Sequence, residues 1–222
     1  IRKQPLLPMV VRSAALGGWL LALMYVFGFF HIGTATTPDY GIYSMNLLSL
    51  VNPADFHETD WSLFLPTLPQ PKYQYEGFNY MGVGMMFLLL FGIVSHLKER
   101  TIGVVALRAT VRRYWPLFLL SGGLFFVAVS HRVYLLHYQL LSIALPEILV
   151  RALGTIRGSG RMFWPVYYLI FLLAFRLIAK IPKRVSLAVV SVCLAIQVID
   201  LGPKLLEIDK KYEHKRYVSP LL

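Results

Sequence analysis

Apolar blocks separated by shorter polar segments dominate this chain of 222 residues. A helix needs roughly 17–25 apolar residues to cross about 30 Å of hydrocarbon, and five blocks reach or approach that length. The pattern predicts an all-α polytopic integral membrane protein with about five transmembrane helices and an outer-face loop region. The predicted spans are residues 14–32, 80–97, 115–130, 162–179 and 185–201.

Basic residues between the blocks predict the orientation of the spans, because cytoplasmic connections carry an excess of Lys and Arg. The N-terminal end, the connection after the second span and the connection after the fourth span are all basic. Loop 33–79 is mostly acidic, which places it outside, and loop 131–161 then also lies outside. The chain is predicted to be a multi-pass protein of the bacterial inner (plasma) membrane, with its N-terminal end cytoplasmic.

The predicted transmembrane domain covers residues 1–203, and 204–222 is predicted to begin an outer tail. The first residue is not Met and the last residues end abruptly, so we expect a fragment of a longer protein. Five prolines in loop 33–79 argue against a long helix or a central strand. We therefore expect a compact loop on the outer membrane face, with its aromatic residues at the interface.

Composition supports a membrane protein and argues against a nucleic-acid partner. Hydrophobic residues make up 57% of the chain and charged residues 15%, whereas a soluble domain has about 45–50% and about 25%. The net charge is +11, but the basic residues flank apolar spans, which favours contact with anionic lipid. The single cysteine, Cys193, supports neither a disulfide nor a thiolate metal site.

The segment 157–161, Arg-Gly-Ser-Gly-Arg, carries the clearest candidate chemistry. Arg157 and Arg161 flank what reads as a flexible turn at the mouth of the fourth predicted span. A guanidinium binds phosphate through a rigid two-pronged fork, most tightly where water is scarce. The pair is therefore predicted to bind a substrate phosphate, although interfacial anchoring by snorkelling explains it equally well. Residues 146–156 are predicted to form an interfacial amphipathic helix that delivers Arg157 to the headgroup level.

Polar and aromatic residues beside the second and fourth predicted spans form a second candidate set. Glu76 and Asn79 lie just before the second span, where helix capping is their default role and headgroup contact the alternative. The residues predicted as headgroup or acceptor contacts are Glu76, Asn79, Tyr80, Trp164 and Tyr167. No catalytic residue and no cofactor are assigned.

Three further groups of charged residues have a functional and a structural interpretation. The cluster Asp55, His57, Glu58 and Asp60 suggests a metal site or a catalytic carboxylate, but its spacing matches no strong zinc motif. A solvated acidic loop is the better interpretation, and no metal is predicted. Arg176 is near enough to the inner membrane edge to snorkel, and Asp200 is expected to pair with an outer arginine.

Three sequence runs resemble the later spans of large bacterial polytopic membrane proteins related to the GT-C class of glycosyltransferases. They are YSMNLLSLVNP at 43–53, YQYEGFNYMGVGMM at 73–86 and IRGSGRMFWPVYYLIFLL at 156–173. The S-G-R-x-x-W-P pattern at 159–165 is the most specific part, and IDLGP at 199–203 resembles the final membrane exit.

The resemblance implies sugar transfer from a polyprenyl-phosphate carrier on the outer membrane face. It predicts the membrane portion of a glycosyltransferase that modifies cell-envelope glycan or lipid, with membrane lipid and a polyprenyl-phosphate sugar as partners. The catalytic carboxylate of such enzymes is expected in an earlier outer loop, outside this chain. The alternatives are a lipid-binding transporter or flippase-like component, and a structural subunit that docks another envelope enzyme.

Overall fold

The computed structural model describes residues 6–26, 40–54, 60–98, 104–154 and 158–213, and these are mostly helical. The helices are α1 Leu6–Val26, α2 Val83–Lys98, α3 Val104–Val129, α4 Glu147–Gly154, α5 Trp164–Ile178 and α6 Lys183–Glu213. The strands β1 Arg132–Leu135 and β2 Tyr138–Ser142 pair as an antiparallel hairpin. Two 3-10 helices, Gln74–Gly77 and Ser159–Phe163, precede α2 and α5.

Two helical segments of the described chain are long and apolar enough to cross a membrane, Ser159–Ile178 and Lys183–Ile208. They indicate membrane association. The prediction of an all-α protein with five spans is wrong, because the described residues contain two candidate spans and a small antiparallel sheet. The sheet lies within what was predicted to be an outer loop, and α6 continues through Pro203 beyond the predicted end of the fifth span.

The other three apolar blocks are not candidate spans among the described residues, for separate reasons. Helix α2 has 16 residues, which gives a length of about 24 Å against the roughly 30 Å of a hydrocarbon core. Helix α3 is kinked by non-helical dihedral angles at Tyr114, so the block 115–130 forms only the part of α3 after the kink, which ends at Val129, and arginines occupy the part before it. Pro116 adjoins the kink, and a proline lacks the helical N–H and crowds the preceding turn. Helix α1 covers the first block as far as Val26, and residues 27–32 of that block lie outside the described residues.

Helix α2 lies against both candidate spans, and two glycines allow the close approach. A Cβ added at Gly84 would collide with the carbonyl oxygen of Cys193 on α6. A Cβ added at Gly92 would lie 2.9 Å from the Cβ of Leu177 on α5. Since a helix without side chains at these points approaches its neighbours closely, α2 is held between α5 and α6. The buried core there comprises Met81, Met85, Leu88, Ala174, Ile178 and Cys193.

Residues 40–54 lie against the end of α3 and the second 3-10 helix. The backbone N–H of Met45 donates to the carbonyl oxygen of Ala128 at 2.8 Å. Met45 is also buried in a second cluster with Ala128, Val129 and Phe163. This cluster fixes the outer segment relative to the start of α5, where the candidate chemistry lies.

Two asparagines organise the outer segment through their side-chain amides. Asn52 accepts the N–H of Leu68 at 2.9 Å and donates to the carbonyl oxygen of the same residue at 3.1 Å. Asn46 donates to the carbonyl oxygen of Leu136 at 2.8 Å and accepts the N–H of that residue at 3.2 Å. These paired bonds replace the regular backbone ladder that a proline-rich loop cannot form. Among the described residues of loop 33–79, the longest helix is the 3-10 helix Gln74–Gly77, as the prolines predict.

His131 is a partly buried imidazole beside the hairpin, stacked on Tyr40 with ring centroids 5.5 Å apart. Burial, and then the nearby Arg132 charge, lower its pKa below the ordinary histidine value.

The folded state therefore favours neutral histidine, and the stability of the protein should fall as the pH drops below about 6.5. Thermal unfolding measured from pH 8 to pH 5 should lose part of this acid sensitivity in His131→Asn. The same change at His137, which is exposed on the hairpin turn, serves as the control; equal profiles for both variants would contradict the assignment.

Candidate site: an aromatic pocket beside an arginine–glutamate pair

A pocket of about 140 Å³ opens between the segment that leads into α2 and the first turns of α5. Its lining is aromatic except for one amide side chain. The lining residues are Phe78, Asn79, Tyr80, Trp164, Tyr167 and Tyr168. Four of these are residues that the sequence predicts as headgroup or acceptor contacts, although they come from two segments far apart in the chain. The structure thus brings most of that predicted set together in one concave site.

The polar member of the lining, Asn79, is buried, and only the nitrogen of its side-chain amide forms a hydrogen bond among the described residues. Its Nδ2 donates to the carbonyl oxygen of Gly77 at 2.8 Å, which fixes the amide orientation because a carbonyl accepts only from a donor. Its Oδ1 is buried and has no hydrogen-bond partner among the described residues. A buried acceptor without a donor is unfavourable. Asn79 therefore lines the pocket while its unsatisfied acceptor is closed to solvent.

The aromatic wall from α5 is placed by the start of that helix. Pro165 lies in the first turn, where its fixed φ suits helix initiation and its missing N–H is not needed. Trp164 and Tyr168 are exposed at the rim, and Tyr167 is half-buried. The hydroxyl of Tyr167 donates to the carbonyl oxygen of Tyr80 at 3.0 Å. This bond ties the two walls of the pocket to each other.

The other wall is held from behind by Asp200 of α6, which is 1% exposed. Its carboxylate accepts hydrogen bonds from the hydroxyl of Tyr80 at 2.8 Å and from the hydroxyl of Ser62. It also accepts the backbone N–H groups of Val83 at 3.0 Å and Phe64 at 3.4 Å. Burial is the main cause that raises the pKa of Tyr80 well above its ordinary value. The phenol therefore stays protonated and donates to the carboxylate.

The start of α2 is capped by side chains of α6. Asp200 accepts the N–H of Val83, and Gln197 accepts the N–H of Met85 at 3.0 Å. The amide nitrogen of Gln197 also donates to the carbonyl oxygen of Met81 at 3.1 Å. These bonds satisfy N–H groups that a helix N-terminus leaves unpaired, and a carboxylate there is favoured by the helix dipole. The prediction that Asn79 or Glu76 caps this helix is wrong.

Arg161 is placed by an unusually close contact between the two 3-10 helices. A Cβ added at Gly160 would lie 2.5 Å from the Cα of Gly77 and 2.7 Å from its nitrogen. The N–H of Gly160 also donates to the carbonyl oxygen of Tyr43 at 3.0 Å. The segment predicted as a flexible turn is therefore a packed 3-10 helix. Immediately after Gly160, the Nε of Arg161 forms an ion pair with Glu76.

The Glu76–Arg161 pair lies directly upstream of the pocket on both segments. Glu76 is mostly buried, whereas the Arg161 side chain is 55% exposed. A carboxylate bound to Nε orients a guanidinium and leaves its outer nitrogens directed elsewhere. The pair thus holds a cationic group on the two segments that continue into the pocket lining.

The remaining predicted sites have different outcomes. Arg157 and the cluster members Asp55, His57 and Glu58 lie outside the described residues, while Asp60 is exposed. Among the described residues, no group of three His, Cys, Asp or Glu side chains is placed to hold a metal ion. The described residues do not give Asp200 the outer arginine that the sequence predicts; the donors that it receives there are hydroxyl and backbone N–H groups.

Phe78, Tyr168 and the role of Asp200 in the pocket wall were missed from the sequence. A charged residue in an apolar block was the available signal for Asp200, because such a charge is rarely placed there without partners. Its partners Ser62 and Tyr80 come from a proline-rich loop and a helix entry. The hydropathy pattern around Ser62 and Tyr80 does not indicate that these residues contact Asp200.

The fold and the pocket define a mostly helical, membrane-associated protein with a site at one end of its apolar helices. The chain belongs to the family described as Domain of unknown function (DUF6311), whose model matches residues 1–202. No curated protein and no solved structure matches the chain. The family description states no activity, and nothing in these comparisons links the chain to the GT-C class.

Proposed function

We propose that this protein binds a lipid-linked glycosyl phosphate and forms the membrane portion of a glycosyltransferase. The substrate would be a polyprenyl-phosphate-linked sugar, used to modify a cell-envelope glycan or lipid. One observation carries the proposal: the oriented Arg161 guanidinium and the aromatic pocket lie on the same two segments. A cation beside an aromatic cavity suits a ligand that joins an anionic group to a ring.

The distribution of charge supports an outer position for the site. The turn between the two candidate spans carries Lys180, Lys183 and Arg184, all exposed. Basic connections favour the cytoplasmic side, so the turn would face the cytoplasm. The pocket lies at the start of α5, the end opposite this turn. On this basis we propose a multi-pass protein of the bacterial inner (plasma) membrane, its N-terminal end cytoplasmic and its pocket at the outer leaflet.

Arg161 is the residue proposed to bind the phosphate. Its Nε is engaged by Glu76, and 55% of the Arg161 side chain is exposed. Phosphate binding by such a fork is strongest at a boundary where water is scarce. In a transfer reaction the same guanidinium would stabilise the charge on the departing phosphate. Arg157 is the second proposed ligand, and it lies outside the described residues.

Lipid binding without group transfer, as in a transporter or flippase-like component, is the second candidate function. Glu76 is the carboxylate nearest in sequence to the pocket lining, and it is paired with Arg161 rather than free to act as a base. Within the described residues, the pocket lining itself contains no carboxylate. A transferase therefore requires a base supplied from elsewhere, whereas a lipid-binding protein does not.

The phosphate role predicts a selective loss in Arg161→Gln. Binding of the full chain to vesicles that contain polyprenyl phosphate should weaken by about tenfold or more, because a charge-assisted contact contributes roughly 1.5–3 kcal/mol. Arg176→Gln is the matched control, since Arg176 is an exposed arginine near the other end of the same candidate span, Ser159–Ile178. It should bind these vesicles as the unchanged protein does.

Sugar transfer measured in the same membranes separates the two candidate functions. Turnover that Arg161→Gln reduces would favour the transferase, and lipid binding without turnover would favour the lipid-binding component. Equal vesicle binding by Arg161→Gln and the unchanged protein would contradict both, because both place the phosphate on Arg161.

A further inference from the structure

The hairpin and helix α4, residues 132–154, carry a group of large apolar side chains that are exposed. These are Tyr138, Leu140, Leu141, Ile143, Ile148 and Leu149. We propose that this segment, called the arm below, lies in the lipid–water boundary of a bilayer with its apolar side chains in the lipid. The proposal stands apart from the proposed function, because it uses neither Arg161 nor the residues that line the pocket.

The register of the hairpin separates apolar from polar side chains. Directly paired residues share one face of a sheet, and successive residues of a strand alternate between faces. One face carries the apolar pairs Val133–Leu141 and Leu135–Tyr138, and the other carries the pairs Arg132–Ser142 and Tyr134–Gln139. On the polar face, the hydroxyl of Tyr134 donates to Oε1 of Gln139 at 3.1 Å. The hairpin is therefore amphipathic across its two faces.

The apolar face of the hairpin is covered only in part by the described chain. Val133 of β1 packs against the buried cluster that contains Phe163, whereas every residue of β2 is exposed. Helix α4 continues this exposure, with Ile148 76% exposed. An amphipathic element with an uncovered apolar side lies stably in the plane of a membrane interface, where one side meets lipid and the other meets water.

Both ends of the arm are held close to the start of a candidate span, which identifies lipid as the partner. The span is Ser159–Ile178, and Phe163 in its first turns belongs to the cluster that Val133 contacts. At the other end, Gly154 precedes Ser159 by five residues, which reach at most about 18 Å when fully extended. The arm therefore lies near the level where the span enters the hydrocarbon, so the bilayer that surrounds the span also reaches the arm.

The proposal is tested by attaching a fluorophore to the full chain in vesicles, at Leu141→Cys, Ile148→Cys or Ser142→Cys. Ser142 is the matched control for Leu141, because it is the next residue of β2 and lies on the polar face. The unchanged protein is the labelling blank, since its cysteine, Cys193, is buried and protected from reaction. All three positions are exposed, so the substitutions should leave folding intact.

Two quenchers then report what surrounds each label. Lipid that carries a nitroxide near its headgroup should quench the labels at Leu141→Cys and Ile148→Cys several-fold more strongly than the label at Ser142→Cys. Iodide dissolved in the water should give the opposite order. The two orders together would show that lipid covers the apolar side and water the polar side.

Two other results would overturn the proposal. Equal quenching by iodide at Leu141→Cys and Ser142→Cys would place the arm in water. Protection of the labels at Leu141→Cys and Ile148→Cys from both quenchers, lost when the protein is diluted in the vesicles, would show that a second copy of the chain covers the apolar side.

Discussion

Replacement of Asp200 with alanine is expected to lower the free energy of unfolding by about 3 kcal/mol, because it removes the shared acceptor of several buried hydrogen bonds. The change leaves four donors without their acceptor: the hydroxyls of Ser62 and Tyr80 and the N–H groups of Phe64 and Val83. An unpaired buried donor costs about 1–3 kcal/mol, although some of these groups will regain water. The loss should also free Tyr80, and with it one wall of the aromatic pocket.

Thermal unfolding in detergent, followed by helical circular dichroism, measures the effect of this change. Asp60→Ala is the matched control, because Asp60 is an exposed aspartate on the outer segment. It should unfold within about 0.5 kcal/mol of the unchanged protein. Asp200→Asn should fall between the two, since it keeps one acceptor oxygen but directs an NH₂ group at existing donors. Equal unfolding of Asp200→Ala and Asp60→Ala would show that the carboxylate does not hold the outer segment.

Gly160→Ala is expected to destabilise the protein by about 3 kcal/mol, near the upper end of the usual effect of overpacking. The new methyl group would overlap the backbone of Gly77, which cannot rotate away. The two 3-10 helices must then separate, and Arg161 moves relative to Glu76 and the pocket. Vesicle binding through Arg161 should therefore weaken together with the stability.

Gly158→Ala tests whether this effect is due to backbone contact rather than to loss of a flexible residue. A Cβ at Gly158 would lie 3.3 Å from the Oε2 of Glu76 and 3.4 Å from the Nε of Arg161. Both atoms belong to the ends of flexible side chains, so a small shift accommodates the methyl group. The midpoint of thermal unfolding should drop clearly in Gly160→Ala and little in Gly158→Ala. Similar drops would support the flexible turn that the sequence predicts.

The sequence predicts several local features that the structure contains. The prolines of loop 33–79 correctly argue against a long helix there, and residues 146–156 predict the short helix α4. Such features depend on neighbouring residues, since proline restricts its own backbone and a short helix follows the periodicity of its apolar residues. Asn79, Tyr80, Trp164 and Tyr167 were singled out because they flank apolar blocks, and they meet in one pocket. Their function remains a proposal.

The number of spans was not predictable from apolar blocks alone. Helix α2 reads as a span because it is nearly all apolar, yet it is short and packs between α5 and α6 through Gly84 and Gly92. Hydropathy measures whether a segment avoids water, not whether lipid or protein covers it. The third block, 115–130, likewise reads as a span, although it begins directly after the kink at Tyr114 and forms only the second part of α3.

The hairpin was missed because its turn lacks the usual signals. Leu136 has φ 58°, a left-handed conformation that normally favours Gly or Asn. Asn46 compensates by bonding both the N–H and the carbonyl oxygen of Leu136 from another part of the chain. A tertiary contact thus stabilises a turn that local preference alone would reject.

By itself, the sequence determined that this chain is strongly apolar, membrane-associated, and has polar and aromatic residues gathered at the ends of two apolar blocks. These properties follow from composition and local order, which the chain carries without folding. The tertiary structure alone decided that Gly160 is packed against Gly77, that Asp200 binds hydroxyl and N–H donors, and that Arg161 pairs with Glu76. Each is a contact between distant segments, so its energy depends on which surfaces meet rather than on the residues beside it.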